Sequence, residues 1–339
     1  MQLPEEILNK ITDISYDFDK KDIAKHFRVI SDKYMGDKKG ESLLNKEKEA
    51  IAYSIARMPA TYGAVKEASM QMLDLVKLNN IGSLIDVGAG TGAATLALVE
   101  SLQEYTQIEK ITCLEREDAM IQVGKSLCED ASNETIKKAN WVKFDINHGV
   151  INQGDDNGKE RGNKNLQADI VVTSYMLNEF ADDKVLEVVD KLWDMTTKVL
   201  LIVDPGTPKD HKRLIMIKNY LAQKGGTILA PCTCDTGCAL NENDWCHFTC
   251  RIERTKLQKQ VKQGDVPYED EKFTYLVVLK ENINFDRNLS RVIRHPIIRA
   301  NMVEVKLCQN GEIVNKIYTK KDKELYKQAK KAKVGDLLL

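Results

Sequence analysis

At 339 residues the chain is long enough for one large domain or two ordinary ones, either able to bury a substantial core. Formal charge is almost balanced at -1, from 50 Lys and Arg against 51 Asp and Glu. No stretch approaches the length of a transmembrane helix, so no membrane partner is expected. The balance hides an asymmetry, because from Arg251 onward there are 20 basic residues against 12 acidic ones. A basic end on an acidic body points to a face for an anionic partner, RNA before others, with a solvated surface as the plain alternative. The opening Met-Gln-Leu-Pro-Glu-Glu lacks the basic and apolar regions of a signal peptide, and a cytoplasmic protein is expected. Of the eight cysteines, five fall between Cys232 and Cys250, which in a reducing compartment argues for a metal rather than disulfides.

Residues 1–78 read as an N-terminal helical domain. Leu3, Ile7, Leu8 and Ile11 recur at helical spacing, as do apolar positions between Ala50 and Met58. Pro59 must break or kink this pattern, and a further helix is expected from about Tyr62 to Lys77. Beside the break, Arg57 and Tyr62 are placed either to line a pocket mouth or to serve as ordinary helix-surface residues.

Residues 79–230 read as the core. Leu84 to Thr95 carries an apolar run, an acid, three alternating glycines and an apolar helical pattern, which together give strand, tight turn and helix. Gly88, Gly90 and Gly92 let the backbone approach a ligand, and the helix that follows aims free N–H groups at it. Gly88, Gly90 and Ala93 also satisfy the dinucleotide pattern, so an NAD-dependent oxidoreductase is one reading. Asp86 and Gly92 shift the balance. Asp-x-Gly-x-Gly-x-Gly resembles the first motif of S-adenosylmethionine-dependent methyltransferases, where the acid holds the amino-acid end of the sulfonium ligand, directly or through water. Glu115 ends a second strand 25 positions past Gly90, placed to accept from both ribose hydroxyls. Asp145, ending a third strand at Trp141 to Phe144, is placed to accept from an adenine amino group. Asn147 to Gln167 reads as a surface loop. A fourth strand, Ala168 to Thr173, leads into Ser174-Tyr-Met-Leu-Asn-Glu179 at the rim where reacting groups gather. No catalytic residue declares itself there, and Tyr175, Asn178 and Glu179 are equally well packing and capping residues. A fifth strand at Lys198 to Val203, the rigid turn Asp204-Pro-Gly-Thr-Pro208, a helix from about His211 to Lys224 and Thr227 to Ala230 complete a doubly wound parallel pattern.

Residues 231–254 form a cysteine-rich insertion whose irregular composition builds no core, although Trp245 and Phe248 need shelter, so a bound metal is its natural organiser. The gaps between its cysteines are one, three, seven and three residues, a poor match to the paired spacing of structural zinc and compatible with an iron-sulfur cluster. In residues 255–339, Tyr275 to Leu279 and Met302 to Leu307 read as strands completing the sheet as an antiparallel, hairpin-like pair. Between them Arg287, Arg291, Arg294, His295 and Arg299 are candidates for phosphate contacts. Gln309-Asn-Gly311 is a turn signal, and the Lys-rich tail from Tyr318 is helical or partly disordered.

Several segments coincide with one family: Ala-Arg-Met-Pro-Ala-Thr-Tyr at 56–62, Asp-Val-Gly-Ala-Gly-Thr-Gly at 86–92, Ala-Asp-Ile-Val-Val-Thr-Ser-Tyr-Met-Leu-Asn-Glu at 168–179, Asp-Pro-Gly-Thr-Pro at 204–208, Ala-Pro-Cys at 230–232 and Asp-Trp-Cys-His-Phe at 244–248. The chain resembles the methyltransferase-like assembly factors of the mitochondrial small ribosomal subunit and their bacterial relatives, from about residue 45 to Cys308. The resemblance implies an α/β fold with a mostly parallel, Rossmann-like class I methyltransferase sheet, S-adenosylmethionine at Asp86, Gly88, Gly90, Gly92, Glu115 and Asp145, and binding to the small ribosomal subunit and its rRNA. It further implies a 4Fe-4S cluster on Cys232, Cys238, Cys246 and Cys308, with zinc as the alternative. Cys234 and Cys250 are left as extra thiols, either of which is an alternative ligand. The expected function is methylation of rRNA, subunit assembly or both, by a chain read as a monomer. The alternative is a factor that uses the same fold without turnover.

Overall fold

The computed structural model describes residues 1–35, 46–76, 78, 80–150, 166–280, 285 and 289–338. The chain opens with helices α1 (Glu5–Ser15), α2 (Lys20–Met35), α3 (Glu47–Ala56) and α4 (Met58–Leu73). Pro59 does not kink a running helix. It occupies the first turn of α4, where an N–H would have had no partner, and the break falls at Arg57. The helix expected from Tyr62 therefore begins at Met58.

The central sheet gathers β1 (Ser83–Val87), β2 (Lys110–Glu115), β3 (Asn140–Asp145), β4 (Gly149–Val150), β5 (Ala168–Ser174), β6 (Thr196–Pro205), β7 (Thr227–Ala230), β8 (Phe248–Glu253) and β9 (Tyr268–Leu279). Its order is β4-β3-β2-β1-β5-β6-β9-β7, with β8 paired to β9. β1, β2, β3, β5 and β6 run parallel, and β9 runs antiparallel between β6 and β7. Helices α5 (Ala93–Leu102), α6 (Asp118–Glu129), α7 (Glu134–Lys137), α8 (Val185–Met195), α9 (Pro208–Gln223) and α10 (Lys256–Lys262) make the connections. Both faces of the sheet are covered over β1, β5 and the middle of β6, which read as apolar runs, whereas β8 alternates buried and exposed residues. Val199, Leu201 and Val203 of β6 join the core formed with α3, α4, α5 and α6, while Leu200 and Ile202 join the one formed with α8 and α9. The order reverses between β1 and β5, so the crevice of a doubly wound sheet lies at their carboxyl ends.

One expected strand lies elsewhere. Of the two strands expected to complete the sheet, β9 does so, but β12 (Met302–Gln309) belongs to a second sheet with β10 (Ser290–Val292), β11 (Ile297–Ile298), β13 (Glu312–Thr319) and β14 (Leu337–Leu338). The reason is its alternation: Val303, Val305 and Leu307 are fully buried, while Glu304 and Lys306 face outward, a pattern suited to a sheet with one wet face. The β12–β13 hairpin turns through Asn310 and Gly311, both in the left-handed region, as the Asn-Gly signal predicts. Helix α11 (Lys323–Lys331) sets Ala329 into the small core of this sheet. Among the described residues no helix is long and apolar enough to cross a membrane. Most of the 147–167 loop and Arg287 lie outside the described residues.

Candidate functional site

After Val87 the chain must reverse and start α5 almost at once, which only unusual backbone angles allow. Gly88, Gly90 and Gly92 have φ of +71°, +56° and +90°, and a Cβ at Gly88 would stand 2.8 Å from Met176 Sδ. The turn is fastened to its neighbour: Gly88 and Ala89 N–H donate to the Leu114 carbonyl at 2.8 and 3.1 Å, and Gly90 N–H donates to Glu115 Oε2 at 2.8 Å. Glu115 Oε1 also accepts the Arg116 and Glu117 amides at 2.8 and 2.9 Å. One carboxylate therefore joins the turn after β1 to the turn after β2. Asp86 is fully buried, with Oδ2 accepting from the Thr95 amide and hydroxyl at 3.1 and 2.8 Å. Its Oδ1 has no hydrogen-bond partner, and burial pushes the carboxyl up to about 7.

A cleft opens where β1, β2, β3 and β5 end. Gly88, Gly90, Glu115 and Asp145 line it, whereas Asp86 and Gly92 are not among its lining residues. Leu114, Met120, Phe144 and Ile146 give it an apolar side. Glu115, Glu117, Asp145 and Glu179 also line it, against Arg116 as the one cation among its lining residues. Glu179 is pushed up to about 7 by burial, then by the Glu115 carboxylate, with Arg116 opposing. This surplus of carboxylates makes the cleft a site for a cation. At its rim Tyr175 holds φ of +54°, which is uncommon and costly for a side-chain-bearing residue. Its hydroxyl donates to Glu271 Oε1 at 2.8 Å, and Arg57 donates to the same oxygen at 3.1 Å.

The cysteines divide into two groups. Thr233 Oγ1 lies 3.4 Å from Cys308 Sγ and accepts the Gly311 amide at 3.0 Å, so the β12–β13 hairpin is laid against the loop after β7. Burial pushes the Cys232 thiol up to about 12, with Lys218 opposing and Cys308, Cys234 and Cys238 adding to the rise. Cys246 is raised by burial and then by Cys232, Cys308 and Cys238. Cys232 and Cys246 thus each feel Cys238 and Cys308, and Cys232 also feels Cys234. Cys250 is not of this group: it is buried in β8 facing α4, where a Cβ on Gly63 would stand 3.2 Å from its Sγ. Phe248 likewise finds its shelter in β8, with its ring 5.1 Å from Tyr275 and 5.9 Å from Phe273, so no metal is needed to cover it. Among the described residues no three His, Cys, Asp or Glu side chains stand close enough to share a single metal ion.

A family model described as mitochondrial small ribosomal subunit Rsm22 matches residues 47–339. The chain belongs to the Rsm22 family. The human ribosome assembly protein METTL17, mitochondrial, is 25% identical over 308 residues, which cover 85% of this chain and 62% of that protein. The chain thus spans less than two thirds of the length of that relative. Among solved structures, magnesium protoporphyrin IX methyltransferase from Synechocystis with bound SAM is 11% identical, covers 78% of this chain and 98% of its own, and has a TM-score of 0.41. A putative RNA methyltransferase from Pyrococcus horikoshii is 13% identical, with 65% and 83% covered and a TM-score of 0.37. Likeness this loose adds nothing to the strand order.

Within this Rsm22-family chain, two arginines expected to face phosphate are internal ties. Arg291 is 2% exposed and donates to the Pro231 carbonyl at 2.9 Å, Gln71 Oε1 at 3.2 Å and the Gly335 carbonyl at 2.6 Å. Arg294 is paired to Asp244 and donates to the Trp245 carbonyl at 3.1 Å. His295 and Arg299 are exposed. Tyr62 does not reach the cleft, being 1% exposed with its hydroxyl on Glu100, while Arg57 pairs with Glu271 and stands over the ring of the rim residue Tyr175, 5.6 Å from its centre. The residue that α3 sends to the cleft is Tyr53, whose ring approaches Gly90. Only packing of the helical layer onto the sheet brings it there, and no local pattern announces it.

Proposed function

We propose that the cleft binds S-adenosylmethionine and that the chain is a methyltransferase-like factor acting on the small ribosomal subunit. The observation that carries this reading is the pairing of the glycine turn with a carboxylate-rich cleft. A sulfonium and an ammonium are attracted by Glu115, Glu117, Asp145 and Glu179, whereas the diphosphate of NAD would be repelled by them. In this reading Gly88 and Gly90 give the backbone room for the ligand, Glu115 takes the ribose hydroxyls, Asp145 the adenine amino group, and the unpaired Oδ1 of Asp86 the amino-acid end, directly or through water. Gly92 contributes by its backbone angle. The ligand, when bound, supplies an already activated methyl group, so the chain's task is alignment rather than activation.

The small ribosomal subunit is the expected partner, because the family's description names it and the human relative is a ribosome assembly protein. A factor without turnover has a specific observation in its favour: the Tyr175 hydroxyl at the rim is committed to Glu271, so the expected reacting edge offers no free nucleophile or base from that residue. Immature small subunits incubated with protein and methyl-labelled cofactor separate the two. Label entering rRNA, and lost in Gly90→Asp, supports the enzyme; tight subunit binding without label supports the factor. Absence of any S-adenosylmethionine affinity by calorimetry would overturn the cofactor reading.

For the cysteines we propose a 4Fe-4S cluster on Cys232, Cys238, Cys246 and Cys308. What supports it is the donor set: three thiols of one loop and the thiol of a distant hairpin that Thr233 holds to that loop, 3.4 Å from Cys308 Sγ, and a cubane spreads its thiolates wider than a single ion does. Protein purified without oxygen should be brown and contain iron; Cys308→Ser should bleach it and Cys250→Ser should not. Stoichiometric zinc without iron would sink this assignment.

A further inference from the structure

Helix α9 carries a lysine that the cofactor and cluster readings leave unused. Lys218 is 0% exposed, in the interior of a helix whose apolar residues Leu214, Ile217 and Leu221 pack against the sheet. A buried ammonium without partners would be costly, so its contacts identify what it serves. Lys218 Nζ donates to the Gly237 carbonyl at 2.5 Å and to the Cys234 carbonyl at 3.5 Å, and lies 3.7 Å from Cys234 Sγ. All three acceptors belong to the loop between Cys232 and Cys238. Its neighbour Asn219 accepts the Gly237 amide on Oδ1 at 2.9 Å. Two consecutive helical residues thus hold both sides of the Gly237 peptide region, while Thr233 holds the same loop to the hairpin that bears Cys308.

We propose that Lys218 is the positioning residue of the cysteine loop: its ammonium pins the loop's carbonyls to α9 and supplies the buried positive charge that offsets an anionic thiolate-ligated cluster. The second half of this inference rests on the cluster reading, and the first does not. A cluster held by four thiolates carries net negative charge into a low-dielectric surrounding, where a fixed cation a few ångströms away favours the more negative, reduced state. Lys218 does not reach substrate. Its effect is on how the loop is held and on the potential of what the loop holds.

Two variants separate the parts. Lys218→Gln keeps a donor and removes the charge, whereas Lys218→Met removes both at similar length. Each is made in the full chain and checked by far-ultraviolet circular dichroism and thermal unfolding. In iron-free protein the rate of Cys238 alkylation, read by mass spectrometry, should rise severalfold in Lys218→Met and much less in Lys218→Gln, since only the former releases the loop. Equal rates in all three proteins would overturn the positioning role. After anaerobic reconstitution both variants should show a midpoint potential more negative than the wild type, with iron content at least halved in Lys218→Met. Unchanged potential and iron content would overturn the charge role. A wild type that takes up no iron overturns the cluster reading and the charge role with it, while the alkylation result still decides whether Lys218 holds the loop.

Discussion

Two carboxyls, Asp86 and Glu179, hold protons near neutrality for the same physical reason, burial, and each makes a distinct prediction. Glu179 lines the cleft, so a cationic ligand should favour its ionised form. S-adenosylmethionine affinity should therefore rise about tenfold in all between pH 6 and pH 8, most of it below pH 7, for one released proton. Glu179→Gln should flatten the curve; a flat wild-type profile in calorimetry would remove Glu179 from the site. Asp86 is tested through stability. Its folded value, about 7, lies above the ordinary 3.8, so the folded state holds the extra proton between those values, and stability falls as pH rises from about 4 to about 7 and levels off above that. Asp86→Asn removes the buried charge and should stabilise the ligand-free protein increasingly as pH rises from about 4 to 7, by on the order of 3–4 kcal/mol at pH 8, with little change near pH 3. The same variant should lose cofactor affinity, as a residue kept for binding at a cost in stability does. Chemical denaturation at the two pH values checks the first point and calorimetry the second.

At the scale of elements, what positions the cleft is close approach. Helix α6 lies on the sheet through Gly124, where an added Cβ would overlap the Trp141 ring of β3. That ring also approaches Gly92, within 3.5 Å of where a Cβ would stand. Gly124→Ala gains helix propensity of about 1 kcal/mol but overpacks a fixed indole, at about 1–3 kcal/mol. The expected net effect is a modest loss of stability in urea unfolding, together with weaker cofactor binding because the displaced ring presses on the glycine turn. Strand types follow the same logic of faces. β6 is apolar from Val199 to Val203 because both of its sides are covered there; β12 alternates because only one is. That alternation was present in Met302 to Gln309, and it is what assigns β12 to the smaller sheet. Cys250, set aside as an extra thiol, lies in β8, where it follows Phe248 at strand spacing and stands opposite Glu271 of β9.

Across the whole molecule, Arg291 ties three regions that are remote in sequence: Gln71 of α4, Pro231 before the cysteine loop, and Gly335 near the C-terminus. Tyr275 donates to the same Gln71 oxygen at 2.7 Å. Arg291→Met should leave buried acceptors unpaired and destabilise the fold by about 2–4 kcal/mol, releasing the segment around Gly335 to protease. The salt dependence of RNA binding by the protein that remains folded should not change, because a buried guanidinium releases no counterions. A smaller salt slope in Arg291→Met would return this residue to the RNA surface. The contrast with the expected phosphate role shows where sequence reasoning ends. Strand periodicity, the glycine turn and its acid are local, and short-range sterics already fix them, so the parallel order and the place of the cleft were legible in Leu84 to Thr95 and the runs that follow. The motif segments likewise placed the chain in its family. The partners of Arg57, Arg291 and Arg294 and the arrival of Tyr53 at the cleft were not legible. Each depends on which buried groups meet across long stretches of chain, and a charged side chain reads the same in sequence whether it faces water or satisfies three carbonyl-rich segments inside.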